Sequence, residues 1–240
     1  TALAKGDRIL LVTGAGLSAD SGLPTYRGIG GLYNGLTPDG MPIQKAVSRS
    51  MLRDNPALCW KYMAEIARAC LGGSPNGAHL AMAALQQRKP HCWVVTQNVD
   101  DLHERAGARR VLHMHGQHLS AWCTACDTRS PWRETLIDRP PCPACGKRTL
   151  RPDVVWFGEM PYEMERIYGA LRSADLFVSI GTSGAVYPAA GFVRDARQLG
   201  AATLELNLER SQGSAWFHET RLGPAGELVP EWVDEVLASQ

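Results

Sequence analysis

Cys123-Thr-Ala-Cys126 and Cys142-Pro-Ala-Cys145 form two cysteine pairs separated by fifteen residues. Each CxxC turn points two sulfurs toward one centre, and four thiolates at this spacing suit a tetrahedral zinc ion. With all four positions taken by thiolate, no coordination site is left for water or substrate. The metal is therefore expected to be structural, its binding contributing to the folding of a small module. A second group is TQNVDDLHERAG, 96–107, followed by VLHMHG, 111–116. Gln97, Asn98 and Asp100 come where an apolar run ends and offer amide and carboxylate groups to a polyol ligand. His113 and His115 alternate, so on extended backbone both would face one side. For His103 and His113 a structural role is expected. His115 precedes a glycine and the start of the cysteine module, which places it at a mouth between two lobes.

The third group is LLVTGAGLSADSGLPTYRG, 10–28. Gly14, Gly16 and Ala19 satisfy G-x-G-x-x-A directly after an expected strand, the turn that lets backbone approach a pyrophosphate. Glycine turns also occur for packing reasons. Gly181-Thr182-Ser183 follows another apolar run, and Asn207 ends a further one, where ribose or adenine could be met. The acidic residue that holds the ribose in redox enzymes of this architecture has no convincing position here. Pro24 disfavours helix at Leu23, so a loop replaces the expected helix. Chemistry on the ribosyl bond accounts for such a loop better than hydride transfer does.

These groups need elements to hold them. RILLVT (8–13), CWVVTQN (92–98), DLFVSIGTS (175–183) and ATLELNL (202–208) read as buried parallel strands. Helical patterns lie between them in NGAHLAMAALQQR, MERIYGALRSA and YPAAGFVRDARQLG. The alternation predicts an α/β fold, a Rossmann-like parallel sheet with helices on both faces. Residues 32–74, with a helix over NPALCWKYMAEIARACL, and the proline-rich 116–152 break the rhythm. They are expected to form the small domain, a helical insertion plus a zinc-binding module. Residues 1–31, 75–115 and 153–240 then form a discontinuous nucleotide-binding domain.

The 240 residues carry 25 basic and 24 acidic side chains. That balance argues against a nucleic-acid or membrane-surface role. No apolar run reaches membrane-spanning length and the N-terminus lacks a signal core, so a cytoplasmic location is expected. Cys59, Cys70 and Cys92 are read as small buried hydrophobes.

GAGLSADSGLPTYRG, TQNVDDLHERAG, HMHG, the paired CxxC motifs, VVWFGEMP and GTS occur in the order found in sirtuins, and the chain resembles that family over about residues 8–236. VVWFGEMP and GTSGAVYPAAGF are closest to its bacterial class III branch. The resemblance implies an NAD-dependent protein-lysine deacylase that releases nicotinamide and O-acyl-ADP-ribose, with one structural zinc on Cys123, Cys126, Cys142 and Cys145. It implies NAD binding by Ala15, Gly16, Asp20, Arg27, Gln97, Ser183 and Asn207, beside Gly14, Ala19, Gly181 and Thr182 of the glycine turns. Asn98 and Asp100 match the catalytic pair near the nicotinamide ribose, and His115 matches the general base. Tyr26, where phenylalanine is common, and Arg27 belong to the loop over the nicotinamide pocket. Val154, Val155, Trp156, Phe157, Gly158 and Glu159 match the strand that pairs with an acyl-lysine substrate, with Val155 and Phe157 lining the acyl tunnel.

One motif of the branch is missing. Relatives that remove succinyl or malonyl groups carry a Tyr-x-x-Arg pair on a small-lobe helix, where phenol and guanidinium both grip the acyl carboxylate. Anchored on Asn55-Pro56 and Trp60, that pair falls at Met63 and Ile66; one residue back it falls at Tyr62 and Glu65. Neither register binds an anion. An apolar tunnel for acetyl and longer neutral acyl groups is expected, with weak activity on acidic ones, against the plainer reading that both residues pack the small-lobe core. Mono-ADP-ribosyl transfer from the same site is the alternative reaction; a non-catalytic binding module and a dehydrogenase are less favoured.

Overall fold

The computed structural model describes residue 3 and residues 6–25, 35–134 and 136–239, with 69–71 described by backbone alone. Strand β1 (Arg8–Thr13) is buried at every position after the first because both its faces are covered. Ile9 and Leu11 enter one core with Leu17, Met82 and Trp232, whereas Leu10 and Val12 enter another with Ile167, Phe177 and Phe192. Two-sided burial is why the run reads as continuously apolar instead of alternating.

After β1 come α1 (Ala15–Ala19), α2 (Ile43–Ala46), α3 (Arg49–Asp54), α4 (Pro56–Leu71) and α5 (Gly77–Arg88). Next are β2 (His91–Thr96), α6 (Leu102–Arg105), β3 (Val111–His113), β4 (Gly116–Cys123), β5 (Arg129–Pro131) and β6 (Leu150–Val154). The chain finishes with α7 (Met164–Ser173), β7 (Leu176–Ile180), α8 (Phe192–Gln198), β8 (Ala202–Asn207), β9 (Glu219–Leu222) and α9 (Ala225–Ala238).

Six parallel strands in the order β3-β2-β1-β7-β8-β9 make the Rossmann-like sheet. The chain winds outward from β1 in one direction and from β7 in the other, so strand order reverses between them. Ligands of open parallel sheets bind at this switch point, beyond the strand C-termini. The register makes those ends flush: Thr13 lies opposite both Thr96 and Ile180, and Ile180 opposite Leu206. Gly14, Gln97, Gly181 and Asn207, each next in its chain, therefore emerge along one edge.

The smaller sheet, β5-β4-β6, is antiparallel and carries the cysteine pairs. It continues through Val154, two residues past the expected boundary at 152. Helix α4 starts where Asn55 accepts a hydrogen bond from Leu58 N–H at 3.2 Å and Pro56 pre-sets the first turn. On this helix Trp60 packs against Cys123, Cys142 and Leu150, while Tyr62, Met63 and Ile66 pack against Val47, Val154 and Trp156. The helical insertion and the cysteine module are thus joined through one helix.

Among the elements missing from the sequence reading, three are hidden for separate reasons. Three-residue β3 is too short to show a period, and β9, ETRL, is polar at the sheet edge. Helix α9 contains Pro230, which reads as a break. Burial of Val229, Trp232, Val233 and Val236 along one face carries the helix through it. Among the described residues no helix is long and apolar enough to cross a membrane.

Candidate active site

The glycine turns meet each other before they meet any ligand. Gly14 N–H donates to Ile180 O at 3.0 Å and Gly16 N–H to Gly181 O at 2.9 Å. A Cβ on Gly16 would lie 2.8 Å from Gly181 Cα, and one on Gly181, whose φ is +62°, 2.3 Å from Leu17 N. These glycines let two backbones interlock, so packing explains them directly. The N–H groups of Gly14 and Gly16 are both used within the protein, so any N–H that this turn offers a phosphate comes from its other residues. Ala15, first in α1, has an N–H with no intrahelical acceptor.

A cavity of about 750 Å³ opens along this edge. One end is lined by Gly14, Ala15, Gly16, Ala19, Asp20, Gly181, Thr182, Ser183 and Asn207, and the other by Met63, Ile66, Val155, Trp156, Phe157, Gly158 and Glu159. Gln97, Asn98 and His115 line it too. Asn207 Nδ2 donates to Thr182 O at 2.7 Å, and Asp20 Oδ2 accepts from Gly226 N–H at 2.8 Å. Both side chains therefore brace the walls that they line. Tyr26 and Arg27 lie outside the described residues.

Asn98 is buried and donates through Nδ2 to Gly14 O at 3.0 Å and Ser18 Oγ at 3.2 Å. Ser18 Oγ donates in turn to Asp100 Oδ2 at 3.1 Å, and Leu102 N–H donates to Asp100 Oδ1 at 3.1 Å. Burial raises the Asp100 pKa against the opposing hydrogen bonds from Leu102 and Ser18. Asp100 does not reach the cavity lining; it stands behind Ser18 and fixes Asn98 through it.

β3 ends at His113, and Met114 and His115 form a turn, so strand alternation does not govern the two histidines. They part company: His113 Nε2 pairs with Glu104 at 2.7 Å, and His115 Nδ1 lies 3.1 Å from Gln97 O. A carbonyl only accepts, so Nδ1 of His115 carries the proton and Nε2 is left with its lone pair. Burial lowers the His115 pKa, partly offset by the bond to Gln97 O, which keeps the ring neutral and basic at neutral pH. His103 lies behind the cavity, with Nε2 at 3.1 Å from Thr13 Oγ1.

Within the expected substrate strand over 154–159, Val154 still belongs to β6 and Val155 N–H donates to His115 O at 2.8 Å, while 156–159 form a turn. β6 stops at Val154, Glu159 N–H donates to Trp156 O at 2.9 Å, and Gly158 has φ +89°. This is the pattern of a type II turn with glycine at its third position. Phe157 makes one isolated bridge to Ser48. Glu159, expected to meet substrate, has its carboxylate committed to Arg151 at 2.7 and 2.9 Å and to Trp156 N–H at 3.0 Å. Burial raises its pKa, and these bonds outweigh burial to hold it below the usual carboxylate range.

On α4, Met63 and Ile66 line the cavity and also belong to the small-lobe core, so the two readings of this pair describe one surface. Tyr62 is buried in that core and Glu65 is exposed, which removes the alternative register from the cavity. Cys59 and Cys92 are buried and their thiols are pushed up to about 12, both mainly by desolvation. The side chain of Cys70 lies outside the described set.

The sulfurs of Cys123, Cys126, Cys142 and Cys145 all lie within 4.8 Å of one another, with Cys123–Cys145 at 3.7 Å and Cys126–Cys142 at 3.8 Å. A tetrahedron with metal–sulfur bonds of about 2.3 Å has edges of about 3.8 Å. Four thiolates at that spacing fit zinc.

The sequence model of the Sir2 family matches residues 14–188. The chain belongs to the Sir2 family. Among Sir2 relatives it is 48% identical to an NAD-dependent protein deacylase of Leishmania major, over 95% of both chains. It is also 48% identical to NAD-dependent protein deacylase 2 of Pseudomonas syringae pv. tomato, over 98% of both chains. A solved Sir2 homologue–NAD complex superposes with a TM-score of 0.87 at 33% identity, covering 99% of this chain and 92% of the other.

Several residues of the Sir2 cavity escape sequence reasoning. Leu208, Glu209, Arg210, Ser211 and Gln212 line it just after β8, where the strand-end rule would have found them. Their loop is held by buried Glu205, which accepts from Ser211 N–H, Ser214 Oγ and Thr220 Oγ1. His118, on β4, also lines the cavity, and no sequence signal marks it.

Proposed function

We propose that the chain is an NAD-dependent protein-lysine deacylase acting on neutral acyl-lysine side chains of proteins or peptides. One observation carries the reading. His115 is locked in a base-competent tautomer, its other nitrogen free, in a cavity running from the interlocked glycine turns to the apolar wall at Met63 and Ile66. Relatives named NAD-dependent protein deacylases at this level of identity support it.

In this reading Ala15, Asp20, Gln97, Thr182, Ser183 and Asn207 hold the dinucleotide. When bound, NAD would supply an electrophilic ribose carbon with nicotinamide as its leaving group. Asn98, fixed by Gly14 O, Ser18 and Asp100, orients the nicotinamide ribose. His115 Nε2 takes the proton of a ribose hydroxyl, a task suited to an imidazole kept neutral by burial. Apolar walls around the acyl-lysine keep competing water out. The four cysteines hold one zinc, whose chemistry here is to fold the module behind the turn at 156–159.

The test is a panel of acyl-lysine peptides incubated with NAD and scored for free lysine, nicotinamide and O-acyl-ADP-ribose. All three should form in equal amounts from acetyl-lysine. ADP-ribose attached to protein, with the acyl group retained, would instead indicate mono-ADP-ribosyl transfer.

A further inference from the structure

His118 lines the cavity with no hydrogen-bond partner for its ring among the described residues. Its place along that cavity is fixed by its backbone. His118 N–H donates to Val99 O at 2.9 Å, and Val99 packs in the same cluster as Val47, Met63, Ile66 and Trp156. The residue also falls where the β4–β6 register shifts, between Gln117 and Ala121, so this stretch is released from regular pairing beside Val154. A polar ring thus lines the cavity beside the apolar cluster that holds Met63 and Ile66.

Its protonation state narrows what it could recognise. Burial alone pushes the ring to about 4, with no charged neighbour offsetting it. At neutral pH the imidazole is uncharged and offers one donor and one acceptor. A carboxylate only accepts, so it can use the ring's N–H but leaves the lone pair without a donor. A saturated chain that displaced water would leave both nitrogens unpaired. An alcohol donates and accepts, and matches the ring in either orientation.

We propose that His118 is a specificity-determining residue that favours acyl-lysines bearing a hydroxyl on the acyl chain over unsubstituted chains of the same length. The inference rests on the deacylase reading and adds to it the chemical class of acyl group. Met63 and Ile66 then contact the carbon chain, and His118 supplies the hydrogen bond near them.

The experiment compares butyryl-, 3-hydroxybutyryl-, 4-hydroxybutyryl- and succinyl-lysine peptides with NAD, in the natural protein and in His118→Leu and His118→Gln. The readout is the ratio of kcat/KM for each substituted acyl group to that for butyryl within each protein, so a general loss of activity divides out. In the natural protein one hydroxybutyryl peptide should exceed butyryl by about tenfold, the scale of one neutral hydrogen bond. His118→Leu should erase that ratio, and His118→Gln, which keeps a donor and an acceptor, should retain part of it. An unchanged ratio in His118→Leu, equal turnover of all the butyryl series by the natural protein, or succinyl turnover above both hydroxybutyryl peptides would overturn the inference. Turnover of no acyl peptide would overturn the deacylase reading itself and this inference with it.

Discussion

Arg151 grips Glu159 through both carboxylate oxygens, at 2.7 and 2.9 Å, while its guanidinium stacks over Trp156 at 4.8 Å and Trp122 at 5.4 Å. Trp122 adjoins Cys123 of the cysteine cluster, and Trp156 walls the cavity that Met63 and Ile66 also line. This ion pair, with Arg151 buried and Glu159 half-buried, connects the cysteine module to the turn that lines the cavity. Removing Glu159 leaves the Arg151 charge buried, at a cost of about 3 kcal/mol, the low end for buried pairs because Glu159 is itself only half-buried. Glu159→Gln should lower stability on that scale in urea unfolding. It should also raise KM for an acetyl-lysine peptide several-fold while KM for NAD stays within about twofold. A parallel rise in both constants would show that the pair does not act locally.

Cys142→Ser should release the metal, since three thiolates and a hydroxyl no longer make the all-sulfur site. The core beside the smaller sheet is small, with Ala121, Leu136 and Leu150 packed on Trp60 and the two buried cysteines, so its order should depend on the ion. Metal analysis should give one zinc per natural chain and much less in the variant, with loss of deacylation. Full activity after complete removal of zinc would contradict this account.

Met63 and Ile66 set the expectation for acyl class. The natural protein should turn over acetyl-lysine at least about tenfold faster than succinyl-lysine. Met63→Tyr combined with Ile66→Arg places phenol and guanidinium one helical turn apart on the cavity wall, and should narrow or invert that ratio. A natural protein that prefers succinyl would show that another cation serves the carboxylate.

Acid should destabilise the protein earlier than its carboxylates would require. Burial holds His79, His103, His115 and His118 below the ordinary histidine range, with His79 at about 4. The unfolded chain protonates these rings near pH 6.5 and the folded chain does not, so stability is lost as pH falls below that value. At pH 5 His79 alone contributes a loss of about 2 kcal/mol, at 1.36 kcal/mol per unit. Asp100 works oppositely, because its raised pKa makes protonation favour the folded state. The acid limb of kcat/KM for the acetyl-lysine peptide should fall below pH 6.5, following His115. Constant urea midpoints between pH 7 and 5 would contradict the burial of these rings.

The sheet was legible because strands buried on both faces are apolar throughout, as Ile9 to Val12 are. The cysteine module was legible because metal geometry dictates its spacing. Less could be read where tertiary packing overrides a local signal. Pro230 concealed α9, whose stability comes from Trp232 and its neighbours. VVWFG has the composition of a strand, yet the Arg151–Glu159 pair and Gly158 fold it into a turn. Gly14 and Gly16 suggested a phosphate cradle, while their neighbours show that close approach to Gly181 already demands them. An alanine at 16 would gain about 1 kcal/mol in helix propensity, but at 2.8 Å from Gly181 Cα it would force two backbones apart. His118 had no signal because only the fold brings β4 against α4.

In the proposed deacylation, His115, in the tautomer fixed by Gln97 O, is the general base. The most direct measurement is O-acetyl-ADP-ribose formation from an acetyl-lysine peptide by the natural protein and by His115→Ala, with NAD affinity measured alongside. His115→Ala should lose at least about 100-fold in product formation, with NAD affinity within about threefold of the natural protein. Product formation by His115→Ala at a rate near that of the natural protein would contradict it.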